Sequence, residues 1–234
     1  MKKFGVWVLL LLIAVGVWKT VVSVICHPVM TMVQPVSSYT LVIDAGHGGE
    51  DGGAVSISGI SESHINLSIA CKLEDILALY GVQAEMLRRE DISLHSPEAD
   101  TLRKKKVSDL HNRVSRVEEI PSALLVSIHQ NSYPDSRYRG AQVFYGKVSG
   151  SEDLAKHVQI TLNETLGSYH TRTAKKIPES IYLMKKVTCP AILVECGFLT
   201  HPEEEALLRT DTYQQKIAAC IANALLTAPM GDSI

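Results

Sequence analysis

From Leu41 onward, short apolar runs alternate with stretches whose apolar residues recur every three or four positions. The first pattern reads as buried strand and the second as one face of a helix. Leu41 to Asp44 predicts a strand that ends at glycine. Ser61 can cap a helix in which Ile65, Ile69, Leu73, Ile76, Leu77 and Tyr80 share a face, with Gly81 at its exit. Further strands are predicted at Val82 to Leu87, Ala123 to Ile128, Ala141 to Tyr145, Ile181 to Met184 and Ala191 to Val194. Helices fall at Lys104 to Glu119 (with Val107, Leu110, Val114 and Val117 at helical spacing, stopped by Pro121), at Asp153 to Leu166, and once or twice within Ala206 to Leu226. Strand and helix alternate through most of this length, which predicts a layered α/β domain.

The amino terminus follows another pattern. Lys2 and Lys3 precede an unbroken apolar run from Phe4 to Trp18, and Val21 to Cys26 resume it after Lys19. A positive start before an apolar run is an export signal. The first run is shorter than the roughly 20 residues that a spanning helix needs, but Lys19 can snorkel and let Val21 to Cys26 extend it. No clear small-residue cleavage site follows. The reading adopted is an uncleaved signal anchor over residues 1–26, with the domain outside; a cleaved signal is the alternative. Residues 27–38, with Pro28, Pro35, Ser37 and Ser38, read as a tether, and residues 39–230 as the folded domain.

Net charge is −2, so no basic field for nucleic acid exists. Lys104, Lys105 and Lys106 with Arg103 read as a solvated helix start. The 5 cysteines include no C-x-x-C pair, which speaks against a thiolate zinc ribbon or redox motif. Cys71, Cys189, Cys196 and Cys220 lie in apolar stretches and read as small buried residues.

In open α/β sheets the working residues gather at the carboxyl ends of strands. Three predicted strands end in suitable chemistry: His47 after Asp44, Ala45 and Gly46; His129 after Ser127 and Ile128; Glu195 after Val194. Gly46, Gly48, Gly49, Gly52 and Gly53 crowd the segment around His47 and permit close backbone approach. No Lys-Ser/Thr pair follows them, so a phosphate-binding loop is excluded. Two imidazoles and one carboxylate make an open three-ligand zinc site of the hydrolytic type. Glu62, at the start of the helix after the glycine loop, is the best third ligand. Glu195 is placed as general base, taking a proton from water and returning it to a leaving amine. Each residue alone has a plainer reading: His47 as a loop histidine, His129 as a satisfied half-buried one, Glu62 as a helix-start charge, Glu195 as a salt-bridge partner of Arg88 or Arg113. Their joint position at strand ends favours the site. His27 sits in the tether, His95, His170 and His201 in polar loops, and His64, His111 and His157 on helix faces.

Together these stretches resemble the zinc-dependent N-acetylmuramoyl-L-alanine amidases (amidase type 3). The matching segments are Val42 to Gly49, Glu62 with Asn66 and Leu67, Arg88 to Asp91, Arg113, Ser127 to Asn131, Gly140 to Tyr145, and Pro190 to Phe198. The resemblance implies one Zn²⁺ held by His47, Glu62 and His129, Glu195 as the catalytic glutamate, and Asn131 and Arg113 in substrate binding. It implies hydrolysis of the amide between N-acetylmuramic acid and L-alanine in peptidoglycan. It also implies a three-layer α/β fold around a central, mostly parallel six-stranded sheet, phosphorylase/hydrolase-like in type. Ser63, Leu87 and His201 depart from residues common in the family, which bears on substrate fit. A single domain behind an anchor is most similar to the spore-cortex, germination-specific subtype that helps to form muramic δ-lactam. Division amidases can carry an insert that plugs the zinc site. Asp91 to Thr101 is brief and polar, so an open site is expected, with restraint from an activating protein partner or from timing of expression. The alternatives are a vegetative cell-wall amidase, a non-catalytic peptidoglycan-binding module that keeps the metal as structure, and a zinc peptidase acting within the stem peptide. Cobalt or manganese could also occupy such donors.

Overall fold

The computed structural model describes residues 39–167 and 172–228. The predicted anchor, the tether and His170 lie outside the described residues. Six strands form one sheet: β1 (Thr40–Ala45), β2 (Ala84–Met86), β3 (Ala123–Asn131), β4 (Gln142–Tyr145), β5 (Lys175–Lys176) and β6 (Ala191–Phe198), in the order β2-β1-β3-β6-β4-β5. β2, β1, β3 and β6 pair in parallel, β4 runs antiparallel to β6, and β5 is parallel to β4. The mostly parallel six-stranded sheet expected from the sequence is the one observed. The helices among the described residues are α1 (Glu62–Leu79), α2 (Leu102–Glu118), α3 (Ser151–Leu166), α4 (Tyr182–Lys186), α5 (Pro202–Leu208) and α6 (Asp211–Thr227). None of them is long and apolar enough to cross a membrane.

Alternation along the strands sorts side chains to two unequal faces. Leu41, Ile43, Leu124, Val126, Ile192 and Val194 pack on one face against Ile69 and Leu73 of α1, Leu154 and Val158 of α3, and Ile217 and Ile221 of α6. Val42, Leu125 and Leu193 pack on the other against Val117 of α2 and Leu183 and Met184 of α4. This second face is thinly covered, since α4 has only 5 residues. Continuing in steps of two from Val42, Leu125 and Leu193 reaches Asp44, then Ser127 and His129, then Glu195. The parity of the strands therefore sends the chemistry to the thin face.

Several elements differ from expectation for local reasons. Ile181 to Met184, expected as a strand, forms the start of α4, because a short apolar run cannot separate strand from buried helix. The second strand shrinks to Ala84–Met86 at the sheet edge. β5 is two exposed lysines and carries no apolar signal. Tyr80, expected on the buried face of α1, is its C-cap and is exposed. α2 starts at Leu102, where the Thr101 side chain accepts from Lys104 N. Its buried face is Asp109, Arg113 and Val117, while Val107 is exposed.

That polar helix face ties α2 to the sheet. Arg113, 2% exposed, donates from Nε to Asp109 Oδ2 at 2.7 Å and from Nη1 to Asp44. Nη1 also reaches Ala45 O at 3.0 Å, and Nη2 reaches His47 O at 2.7 Å. Burial opposes the charge on Arg113, but Asp44 and Asp109 outweigh it and raise its pKa. Asp44 is buried as well, and Arg113 and the Ser127 hydroxyl hold its carboxyl below the usual range. Truncation of one partner leaves uncompensated buried charge. Arg113→Ala is expected to lower unfolding free energy by about 3–5 kcal/mol, read by chemical denaturation of the purified protein. A loss under about 1 kcal/mol would show that the ion pairs do not hold α2 to the sheet.

Candidate active site

The chain leaves β1 at Gly46, whose N–H donates to Ile128 O at 3.0 Å. An added Cβ on Gly46 would stand 2.2 Å from His129 Nε2, so only glycine lets the second histidine lie against this backbone. His47 adopts φ 61, in the left-handed region that a non-glycine residue occupies only when its surroundings hold it there. Here the hold is visible: Arg113 takes its carbonyl, and a Gly48–Asp51 bridge closes the turn behind it. Asp51 Oδ2 lies 3.0 Å from His47 Nδ1 and so turns Nε2 toward Glu62 Oε2 at 3.4 Å. Hydrogen bonding to His47 is the first cause of a lowered Asp51 pKa.

Glu62 is the first residue of α1 and is 3% exposed. Its Oε2 accepts from Ala54 N at 2.9 Å. Its Oε1 accepts from Gln130 N and from Asn66 Nδ2, each at 3.1 Å, and lies 2.9 Å from His129 Nδ1. Burial alone would raise its pKa, but His129, His47 and the backbone donors overcome this and bring it down to about 2. Burial likewise disfavours the imidazolium of His129, yet Glu62 outweighs it and the pKa is raised.

One donor atom each from His47, Glu62 and His129 lies within 4.8 Å of the others. The two rings stand edge to face at 5.0 Å. The set fits a divalent cation on three counts. Its donors are two imidazole nitrogens and a carboxylate, the common choice for an open site. The far nitrogen of His47 already rests on a carboxylate, the usual orienting arrangement around a ligating histidine. And Gly53, at φ +70, leaves the space that a Cβ would take 2.5 Å from Glu62 Oε2 and 2.7 Å from His47 Cδ2.

Glu195 sits on β6 directly opposite His129 on β3. With His47, Glu62 and His129 it lines a cavity of about 320 Å³ on the thin face of the sheet. Lys106, Asp109 and Leu110 of α2 form one wall, and Ser180 to Met184 the other. None of the lining residues comes from Asp91 to Thr101. Glu195 Oε2 is buried and has no hydrogen-bond partner among the described residues. Burial raises the Glu195 pKa to about 7, with the negative Glu62 adding to the rise and His129 opposing it. A carboxyl poised there, with a free oxygen in a cavity, can accept or deliver a proton.

The salt-bridge reading of Glu195 does not hold. Arg113 is occupied as described, and Arg88 donates to Ala45 O, Gly46 O, Ser63 O and Glu90 O. Arg113 lines the same cavity, with its donors turned to Asp44, Asp109 and the Ala45 and His47 carbonyls, and so supports the glycine loop. Asn131 stands half-buried at the end of β3, paired with Phe198, and is not among the residues lining the cavity. The remaining described histidines have other settings: His64 against Asp91, His95 against Ser93, His111 beside the Tyr182 ring, His157 against Thr227, and His201 capping α5. Sequence reasoning gave no role to Asp51 or Gln130. The Asp four residues past His47, where a tight glycine turn folds back, was the available signal for the first. No signal marked the backbone amide of Gln130.

Comparison with known proteins identifies the family. The profile of the family described as N-acetylmuramoyl-L-alanine amidase matches residues 41–227. The chain is 38% identical to the germination-specific N-acetylmuramoyl-L-alanine amidase of Bacillus subtilis, over 82% of this chain and 80% of that protein. It is 28% identical to the N-acetylmuramoyl-L-alanine amidase AmiA of Salmonella typhimurium, over 82% of this chain and 76% of that protein. Among solved structures it is similar to the CwlD amidase from Clostridioides difficile in complex with the GerS lipoprotein. That match has 37% identity and a TM-score of 0.75, and covers 80% of this chain and 95% of that one.

Replacing Asp51 by Asn is expected to weaken divalent-cation affinity about 10–100-fold, because the amide no longer orients and polarises the His47 ring as a carboxylate does. Chelator-competition titration reads this directly. Unchanged affinity would mean that His47 is not a ligand or is oriented by other contacts.

Proposed function

The chain belongs to the N-acetylmuramoyl-L-alanine amidase family, and from that premise we propose that it is a zinc enzyme of the spore cortex, cutting the amide between the lactyl group of N-acetylmuramic acid and L-alanine. The observation that carries the reading is the unpartnered Glu195 carboxylate facing the same cavity as the His47, Glu62 and His129 donors. These three would hold the ion. When bound, zinc supplies Lewis acidity that polarises the scissile carbonyl and makes water a better nucleophile.

The chain's own residues do the rest. Glu195 accepts a proton from the attacking water as the new C–O bond forms. It then delivers that proton to the nitrogen of L-alanine as the C–N bond breaks, so that a carboxylic acid and a free amine leave. Burial of Glu195 keeps its proton affinity high enough for the second half of this exchange. A bound cation favours the charged carboxylate and so pulls its pKa down from about 7. Asp51 and the backbone contacts of Arg113 keep His47 in its left-handed pose throughout.

The cortex assignment rests on the similarity to the germination-specific relative. The GerS complex of the similar CwlD supports a protein partner for this chain too. Residues 1–26 are proposed as an anchor that holds the domain outside the membrane, with 27–38 as its tether.

Glu195→Gln is expected to reduce kcat about 10²–10⁴-fold while zinc content stays at wild-type level. Muropeptide digests separated by mass spectrometry, with zinc assayed in parallel, read both. Wild-type turnover by the variant would show that Glu195 is not the base, absence of turnover by the zinc-loaded wild type would support the non-catalytic binding module, and cleavage inside the stem peptide would support a peptidase. In the wild type, kcat/KM should fall about tenfold per pH unit on the acid side of the Glu195 pKa, since only the carboxylate accepts a proton. That acid limb should lie below pH 7 in the zinc-loaded enzyme and vanish in Glu195→Gln.

A further inference from the structure

Two exposed tyrosines lie on the segment that joins β3 to β4. Tyr133 is 48% exposed and Tyr138 is 46% exposed. Their rings meet edge to face with centroids 4.7 Å apart. Tyr138 leans on the buried Phe198 at 6.4 Å, and Arg172 covers the Phe198 ring at 5.0 Å. Core packing rarely leaves paired aromatic rings half in water, and such a patch near a cavity marks a contact surface.

Topology places this pair. The segment that carries both tyrosines leaves β3 two residues past His129, at Asn131, and enters β4 at Gln142, which pairs directly with Glu195. It must therefore cross the carboxyl end of the sheet beside the catalytic glutamate. The segment is also pinned. Tyr133 N donates to Thr200 Oγ1 at 3.2 Å, Gly140 N to Glu204 Oε1 at 2.9 Å, and Arg172 Nη2 to Arg139 O at 2.9 Å. The backbone that carries the rings is thus fixed before anything binds, which lowers the ordering cost of a contact.

Given the amidase reading, on which this inference rests, the polymer entering the cavity is a chain of pyranose rings. A pyranose offers one apolar face of axial C–H groups and a rim of hydroxyls. The negative face of a tyrosine ring attracts such C–H groups. Asp135, Arg137 and Arg139 are on the same segment and bring polar groups that suit the hydroxyl rim. We infer that Tyr133 and Tyr138 form a stacking platform for a sugar of the glycan strand next to the muramic acid whose peptide is removed. Such a platform makes strands better substrates than isolated muramoyl peptides.

The test compares the full chain with Tyr133→Ala/Tyr138→Ala and with Tyr133→Phe/Tyr138→Phe. Each is assayed on peptidoglycan strands and on a single N-acetylmuramoyl peptide, and for binding to short glycan strands stripped of peptide. The alanine pair should lower the ratio of kcat/KM for strands to that for the single-sugar substrate about tenfold, through KM, and weaken binding of the stripped strands by a similar factor. The phenylalanine pair, which keeps the rings, should restore both. An unchanged ratio and unchanged strand binding would overturn the platform and leave the patch to a protein partner. Equal loss on both substrates would also overturn it, showing that the tyrosines only support the fold. If the wild type released peptide from neither substrate, the hydrolase reading would fail, while binding of stripped strands would still decide the platform.

Discussion

A buried carboxylate that cannot reach water must be satisfied by donors fixed in advance, and Glu62 imposes this constraint on the whole site. Its partners come from three segments: His47 and the Ala54 amide in the glycine-rich segment, Asn66 one turn further along α1, and His129 with the Gln130 amide on β3. The glycine-rich segment leads directly into α1, while His129 and Gln130 adjoin each other on β3, 67 and 68 residues beyond Glu62. A carboxylate held this way is charged at neutral pH, and its charge draws both histidines to one point. The same constraint sets the proton affinity of Glu195, because the negative Glu62 adds to the effect of burial there. One residue thus links the proposed metal site to the proposed base.

The fold supplies what Glu62 cannot. Parallel strands in register bring His129 and Glu195 side by side. Strand parity sends both to the face covered by α2 and the short α4, where a cavity remains open. On the opposite face α1, α3 and α6 form a continuous hydrophobic layer. The polar stripe of α2 is part of this division of labour. Asp109 and Arg113 occupy positions that an ordinary amphipathic helix would fill with leucine, and they hold Asp44 and the His47 carbonyl instead. Stability of α2 and the pose of His47 are therefore one network.

Much of this was legible in the residues. The polar endings of three apolar runs marked His47, His129 and Glu195, and the glycines before α1 pointed to Glu62. The alternation of runs and helical spacing was enough for a layered α/β sheet. Legibility failed where tertiary context decides. The apolar stretch at Ile181 to Met184 has equal claims as strand or helix, and only its packing on Val117 and Leu193 settles it. Lys175 and Lys176 form a strand solely because β4 offers an edge. The family resemblance marks Arg113 as a substrate residue, whereas the inward turn of its donors follows from Asp44, which reads in sequence as part of the loop motif. Asp51 was hidden in the same way, since its task depends on a turn that returns it to His47.

The central claim is that His47, Glu62 and His129 share one zinc ion at the mouth of the cavity that Glu195 lines. Anomalous diffraction from crystals of the domain, collected on both sides of the zinc absorption edge, tests it most directly. The account predicts a single strong peak between His47 Nε2, the Glu62 carboxylate and His129 Nδ1, with the Glu195 carboxyl turned toward it. A zinc-loaded crystal with no peak there, or with its peak at other side chains, would contradict it.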